Sequence, residues 1–250
     1  MEIAHRTHIG LVRDLNEDSI HLFRTKCRRV VAIVADGMGG HQAGDVASQQ
    51  TIRIMERYLA PIQFQHTTED KSNHLLQAVG KANEQVFSLA MRNNQYQGMG
   101  TTVVAAVIDL KEVVFAHVGD SRAYMLHDGG LYQLTEDHSY VNMLQKHGQI
   151  TAEEAKNHPQ RNMIVRAVGT SDEVEVDLIT TPWEQDDILL LCSDGLTTMV
   201  SEREIGEVLS QAGETVEEKA DRLLQMALNA GGKDNVSLIL LKHRGASSPS

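Results

Sequence analysis

The chain is poor in cysteine, proline and aromatic residues: 2 Cys, 4 Pro and 4% aromatics in 250 residues. Two thiols make no disulfide framework. Cys27 and Cys192 each stand in or beside an apolar run, so they read as reduced, buried side chains in a reducing compartment, the cytoplasm. With few prolines, 41% hydrophobic and 23% charged residues, the composition excludes a disordered or fibrous chain. Basic residues are also scarce. Lys and Arg number 23 against 34 Asp and Glu, a net charge of −11, which excludes a basic nucleic-acid binder. Long apolar runs are absent: residues 30–35, 188–192 and 236–241 are strand-length, far short of the ~20 residues of a membrane helix, so no membrane partner is expected. The N-terminus carries no secretory pattern. Residues 245–250 are small and polar and read as a disordered tail.

What is present is a succession of strands and helices without a linker, read as one domain over 1–244. A domain of that size buries roughly three quarters of its unfolded surface and needs no covalent staples. Apolar residues 30–35 end at a glycine-rich break, Asp36-Gly37-Met38-Gly39-Gly40. Helical spacing then runs from Ala43 to Pro61, and a second apolar stripe, Leu75, Val79, Ala82, Val86 and Leu89, gives about four turns of helix. Strands are expected over 102–108, 113–118, 123–126 and 131–134, and their short connections imply antiparallel hairpins. Residues 139–170 turn polar and irregular, with two short helix-like pieces, and read as a surface insertion. A strand near 174–180 follows, then a strand over 187–192, a turn at Ser193-Asp194-Gly195, helices near 202–210 and 216–229, and a last strand over 236–242. Strands and helices fall in runs, so the class is α+β with helices packed on antiparallel sheet.

The acids carry the functional signal. Asp18 precedes a strand; Asp36, Asp120 and Asp194 end strands; Asp234 precedes the last one. Four of the five have a glycine within two residues: Gly37, Gly119, Gly195 and Gly232. A single Asp-Gly is a common turn signal. Five in this arrangement are better explained by carboxylates aimed at one point, where their repulsion requires a cation. Oxygen-only ligands, without a Cys or His pair at zinc spacing, point to Mg²⁺ or Mn²⁺.

Seven segments occur in order: Asn16-Glu17-Asp18, Asp36 to His41, Gly100-Thr101-Thr102, Val118 to Ala123, Leu134 to Ser139, Ser193 to Leu196, and Asp234-Asn235. The series resembles the metal-dependent Ser/Thr protein phosphatases of type 2C, the PPM family, in its bacterial form, over residues 2 to about 242. The resemblance implies a four-layer αββα sandwich, two antiparallel sheets flanked by helices, with residues 139–170 as the family's flap. It implies hydrolysis of phosphoserine and phosphothreonine in proteins by water activated at a centre of two Mn²⁺ or Mg²⁺ ions, with a third, weaker metal site as in bacterial members. By motif position Asp36 bridges two metals, the Gly37 carbonyl binds one, and Asp194 and Asp234 bind the other. Glu17 and Asp18 hold metal-bound waters, Asp120 with Asp194 matches the third site, and Arg13 clamps the substrate phosphate. Many eukaryotic members have a His two residues after the bridging Asp as general acid. Here that residue is Met38, and His41 is the nearby candidate.

The chemistry agrees. A phosphate monoester is doubly negative, so an acidic site works on it only if metals reverse the local charge. Two divalent ions ~3.5–4 Å apart activate a water and screen the phosphoryl oxygens, and arginine adds a planar bidentate clamp. Phosphorylated proteins made by a Ser/Thr kinase are the expected partners, and a monomer the expected state. A non-catalytic relative would be expected to lose ligands, yet all are present. A hydrolase of small phosphate esters differs only in substrate. Gly119-Asp120-Ser121-Arg122-Ala123 approaches a nucleophile elbow but is expected in a β-meander without the strand-to-helix step, so Ser121 reads as structural. Gly232-Lys233-Asp234 lacks the rest of a P-loop.

Overall fold

The run of residues 30–35 shows how the layers arise, because its two faces are buried against different neighbours. In the computed structural model, which describes residues 1–40, 43–63 and 65–244, Val31, Ile33 and Ala35 pack with helices, whereas Val30, Ala32 and Val34 face another sheet. Period-two geometry sends alternate side chains to opposite faces, and apolar cover on both makes the sequence a continuous hydrophobic run.

In chain order the elements are β1 (Glu2–His8), β2 (Asp18–Arg24), β3 (Val30–Met38), α1 (Ala43–Leu59), α2 (Thr68–Arg92), β4 (Gly100–Thr101), β5 (Val103–Ile108), β6 (Glu112–Val118), β7 (Arg122–His127) and β8 (Gly130–Gln133). Then come α3 (Tyr140–Lys146), α4 (Ala152–Lys156), β9 (Asp177–Pro182), β10 (Ile188–Cys192), α5 (Asp194–Thr197), α6 (Glu202–Ser210), α7 (Val216–Asn229) and β11 (Val236–Lys242). One antiparallel sheet has the order β1-β11-β10-β7-β8 and the other β2-β3-β5-β6-β9, with β4 paired to β3. Helices α1 and α2 cover the second sheet through Met55, Leu59, Leu75 and Val79. Helices α6 and α7 cover the first through Ile205, Val208, Leu223 and Ala227. Between the sheets lie Val104, Phe115, Met125, Leu189, Leu191 and Ile239. The four-layer αββα sandwich implied by the resemblance is therefore the fold.

Three expectations are corrected. The connection between β6 and β7 is no hairpin: β6 pairs with β5 and β9, β7 with β10 and β8, so residues 119–121 carry the chain from one sheet to the other. The β-meander expected around Ser121 is absent for the same reason, although Ser121 is structural: it is fully buried and its Oγ lies 2.7 Å from Thr102 Oγ1. Ser193-Asp194-Gly195 is not a simple turn but the start of α5, because Ser193 is held by β11 as its N–H reaches Ser237 O at 3.0 Å. The strand expected near 174–180 lies at Asp177–Pro182. Cys192 is buried as expected, whereas Cys27, expected to be buried too, is only partly so. The expected tail, 245–250, lies outside the described residues.

Helix starts are set by capping boxes at Thr67/Asp70, Thr151/Glu154, Ser201/Glu204 and Thr215/Glu218. A cap contributes about 1 kcal/mol, whereas burying one Leu or Ile side chain contributes about 1.5–3 kcal/mol. Packing therefore holds the helices and the caps fix where they begin. The α6–α7 junction is held differently. Lys219, 3% exposed, donates to the carbonyls of Val208, Leu209 and Gln211 at 2.9, 2.8 and 2.6 Å, closing the end of α6. Lys219→Met keeps the apolar stem and strands those carbonyls, so unfolding free energy should drop by about 1–3 kcal/mol. An unchanged urea midpoint would show the ammonium group to be dispensable.

Candidate metal centre

The five aspartates singled out by their strand-end positions converge at one end of the two sheets. Asp18 on β2 stands opposite Asp36 on β3 in the antiparallel register. Asp18 also accepts a 2.7 Å hydrogen bond from Ser193 Oγ, the residue before Asp194, which brings the two sheets together at the carboxylates. Asp234 precedes β11, the neighbour of β10, and its charge bears on Asp194, Asp18 and Asp36. Asp120 sits in the crossover between sheets, 8% exposed.

A backbone frame holds these acids. Asp36 N–H donates to Thr102 Oγ1 at 3.0 Å, its carbonyl accepts from Thr102 N–H at 2.8 Å and Thr101 Oγ1 at 2.9 Å, and Thr102 in turn meets Ser121. Asn235 uses its whole amide: Oδ1 accepts from Glu17 N–H at 2.8 Å, and Nδ2 donates to the carbonyls of Ile9 and Leu15 at 2.9 Å each. That pins the loop carrying Arg13 and Glu17 to the loop carrying Asp234. Gly37 is required by crowding, since a Cβ there would come within 2.0 Å of Gly44 O and 2.7 Å of Glu17 O. Glu17 places its carboxylate against Gly44 near the start of α1. The motif segments contained Thr101, Thr102, Ser193 and Asn235, but no sequence signal said what each would hold.

Bringing these carboxylates out of water makes their ionisation costly. Burial, then the charge of Asp194, pushes Asp120 up to about 8. Burial raises Asp18 to about 7 despite the Ser193 hydroxyl. Burial, then Asp234, raises Asp194 to about 6. Asp36 is raised well above the usual carboxylate range by burial and by Asp18, Asp194 and Asp120, and Glu17 is raised by burial. Among the described residues, Glu17 Oε1, Asp18 Oδ1 and Asp120 Oδ1 are buried oxygens without a hydrogen-bond partner. Buried anionic oxygens with no donor are what a hard divalent cation fits. Among the described residues the nearby cations stand aside: Arg122 is paired with Asp137, and Arg13 Nη2 donates to Asp234 Oδ2 at 2.8 Å, with both side chains partly exposed. His41 lies outside the described residues.

A second cluster, His117, His138 and Asp177, brings its ligand atoms within 4.8 Å of one another. Most of its polar atoms are already engaged within the protein. Gly119 N–H donates to His138 Nδ1 at 3.0 Å, and Nε2 faces both Asp177 Oδ2 at 3.1 Å and Arg166 Nη1 at 3.0 Å. His117 Nε2 likewise donates to Ser121 O at 2.9 Å. Arg166 already supplies the cation, donating to Asp177 Oδ1 at 2.7 Å. Burial holds both imidazoles neutral, His117 at about 4.

From Asp120 and Asp194 a groove of about 1150 Å³ runs between the flap and the α5–α6 segment, lined by Val141, Arg161, Thr198 and Glu202. The flap is tied down at its ends: Ser139 bridges to Ile164, and Val168 exchanges backbone hydrogen bonds with Thr101.

Two sheets closing on a buried, cation-deficient cluster of aspartates define a metal-dependent phosphatase architecture, and comparison with known proteins agrees. Residues 8–234 match the protein phosphatase 2C family, and the chain belongs to it. It is 42% identical over 242 residues to the serine/threonine phosphatase stp of Listeria innocua, covering 97% of this chain and 96% of that one. The Streptococcus agalactiae serine/threonine phosphatase structure superposes with a TM-score of 0.91 at 39% identity, covering 96% of this chain and 98% of that one. The catalytic domain of the Ser/Thr protein phosphatase PstP, in complex with two manganese ions, gives 0.84 at 37% identity over 96% of each chain.

The raised carboxyls make a signed prediction. Asp18 and Asp120 hold protons in the fold, up to about 7 and about 8, that the unfolded chain has shed, so stability without metal falls as pH rises from about 6.5 to 8. His117 and His138, depressed in the fold, act oppositely but only below about 6.5. The thermal midpoint in chelator should therefore drop across that window, and saturating Mg²⁺ should reverse the drop. His127, raised by its bond to Asp187, adds to the fall. A decline that persists unchanged with Mg²⁺ would assign the effect to His127 instead of the aspartates.

Proposed function

We propose that the chain removes phosphate from phosphoserine and phosphothreonine residues of proteins, by water activated at two Mn²⁺ or Mg²⁺ ions held in the aspartate cleft. The observation that carries this reading is the set of buried acids, Glu17, Asp18 and Asp120, whose oxygens lack hydrogen-bond partners among the described residues, with Arg13 at the rim of the same cluster. Asp36 would bridge the ions, the Gly37 carbonyl would serve one, and Asp194 and Asp234 the other. Asp120 with Asp194 would hold a third, weaker ion, and Glu17 and Asp18 would accept hydrogen bonds from coordinated water. When bound, the ions supply an activated water and neutralise the phosphoryl charge. The chain's own residues position and screen. Arg13 gives one Nη2–H to Asp234 among the described residues, which leaves the second Nη2–H with Nε–H or Nη1–H as a fork for phosphate oxygens. Asn235 keeps that arginine's loop in register with Asp234. Met38 has no proton to give, so the leaving alkoxide takes its proton from water or from His41.

A protein substrate is favoured over a small ester by the groove of about 1150 Å³ leading to Asp120 and Asp194, which accommodates a polypeptide flanking the phosphorylated residue. The chain from 1 to 244 works as one domain, as a monomer, in the cytoplasm, on the products of a Ser/Thr kinase. No helix among the described residues is long and apolar enough to cross a membrane.

The test compares phosphoserine, phosphothreonine and phosphotyrosine peptides and a small aryl phosphate with Mn²⁺-loaded protein. Phosphothreonine and phosphoserine peptides should turn over fastest, chelator should abolish release, and Asp36→Ala or Asp194→Ala should remove activity while the fold persists. Equal or better hydrolysis of the small ester would overturn the assignment to proteins. Arg13→Ala should raise KM about tenfold or more with a smaller change in kcat, since a charged hydrogen bond contributes about 1.5–3 kcal/mol. An unchanged KM would remove Arg13 from phosphate binding.

A further inference from the structure

We infer that His138 is a positioning residue for Asp120: its imidazole Nδ1 and main-chain N–H grip Gly119 and thereby aim the Asp120 carboxylate into the cleft. The crossover 119–121 links the two sheets, and Asp120 lies at its middle with no strand partner on either side. Gly119 takes a φ of +111°, and a Cβ there would meet Thr102 Cβ at 2.6 Å, so the position is fixed by contact as well as by conformation. Two bonds close a ring with His138: Gly119 N–H donates to Nδ1 at 3.0 Å, and His138 N–H donates to Gly119 O at 2.8 Å. On the far side, His117 Nε2–H holds Ser121 O at 2.9 Å, and the two imidazoles pack with centroids 4.8 Å apart. The backbone flanking Asp120 is thus held from both directions by two packed imidazoles.

The remaining contacts of His138 reach the flap. Nε2 lies 3.1 Å from Asp177 Oδ2 and 3.0 Å from Arg166 Nη1, and Arg166 secures Asp177 at 2.7 Å and Glu175 at 2.9 Å. Val165 N–H donates to the His138 carbonyl at 2.9 Å. A carboxylate orienting an imidazole, which in turn orients a ligand-bearing segment, is the arrangement by which outer residues tune metal affinity. The flap's last residues therefore bear on Asp120 through His138.

The inference rests on Asp120 holding the weakest of the metal ions, and the experiment separates the two. Mn²⁺ is titrated into the metal-free full chain, free Mn²⁺ being read by electron paramagnetic resonance, for wild type, Asp120→Asn, His138→Asn and His138→Gln. Asn offers Oδ1 where Nδ1 stands and retains the bond to Gly119. Gln offers a donor towards Asp177 and gives up the acceptor. Expected is loss of the weakest step in Asp120→Asn, weakening of that step by about tenfold or more in His138→Gln, and a step near wild type in His138→Asn. Each variant deletes one ring hydrogen bond, so a merely structural role predicts equal effects from Asn and Gln, and that outcome overturns the inference. Wild-type binding by His138→Gln while Asp120→Asn loses the step also overturns it. If Asp120→Asn keeps every step, the ligand assignment itself fails, and the inference with it.

Discussion

Mutual repulsion among carboxylates that the fold forces out of water is the constraint around which the rest is organised. Left to itself, a group of buried acids neutralises by taking up protons, as the raised values of Asp18, Asp36, Asp120 and Asp194 express. The two sheets oppose that tendency mechanically. Hydrophobic packing between them, through Val104, Phe115, Leu189 and Ile239, fixes the strand ends at which the acids stand. The energy that holds the charges together is apolar burial, and the cost it sustains is what a cation relieves. Local destabilisation and metal affinity are in this sense the same quantity seen from two sides.

The frame around the acids follows the same logic, because a carboxylate can only present a free oxygen if something else fixes its backbone. Thr101 and Thr102 occupy the main chain of Asp36, Ser193 takes one oxygen of Asp18 and leaves the other open, and Asn235 saturates its amide on three backbone groups. Neutral hydroxyls and amides serve here where a Lys or Arg would not. A buried cation placed among the acids would satisfy them and remove the need for metal. The basic groups nearby are kept aside instead: Arg122 is bound by Asp137 at 2.8 and 2.6 Å, and Arg13 stays at the partly exposed rim.

How far this could be read in advance follows from the range of each interaction. Helices α1, α6 and α7, the buried strands and the strand-end position of each aspartate were legible, because periodicity and Asp-Gly punctuation are local. The segment 119–121 was misread because a three-residue connection looks like a hairpin; only the pairing of β7 with β10, more than sixty residues on, assigns β7 to the other sheet. Ser193-Asp194-Gly195 was misread for a related reason, since it is β11 that holds Ser193 so that a helix starts there. Asn235 and His138 sat inside segments noticed for their acids, yet their bonds to Glu17 and Gly119 span 218 and 19 residues and leave no periodic trace. Supporting residues of a site are the hardest to see because their identity is dictated by tertiary distance alone.

The route of the chain at the crossover also explains why the flap and the metal centre are joined. A strand end inherits its rigidity from a ladder, as Asp36 does, and Asp194 follows Ser193, whose N–H is held by β11. Asp120 has no ladder, because the crossover leaves one sheet before it enters the other, and rigidity there has to be imported. It comes from His117, on β6, and from His138, at the base of the flap. The flap's far end returns to Thr101, which bonds the carbonyl of Asp36. Displacing the flap would therefore disturb the least supported acid first and the best supported one second.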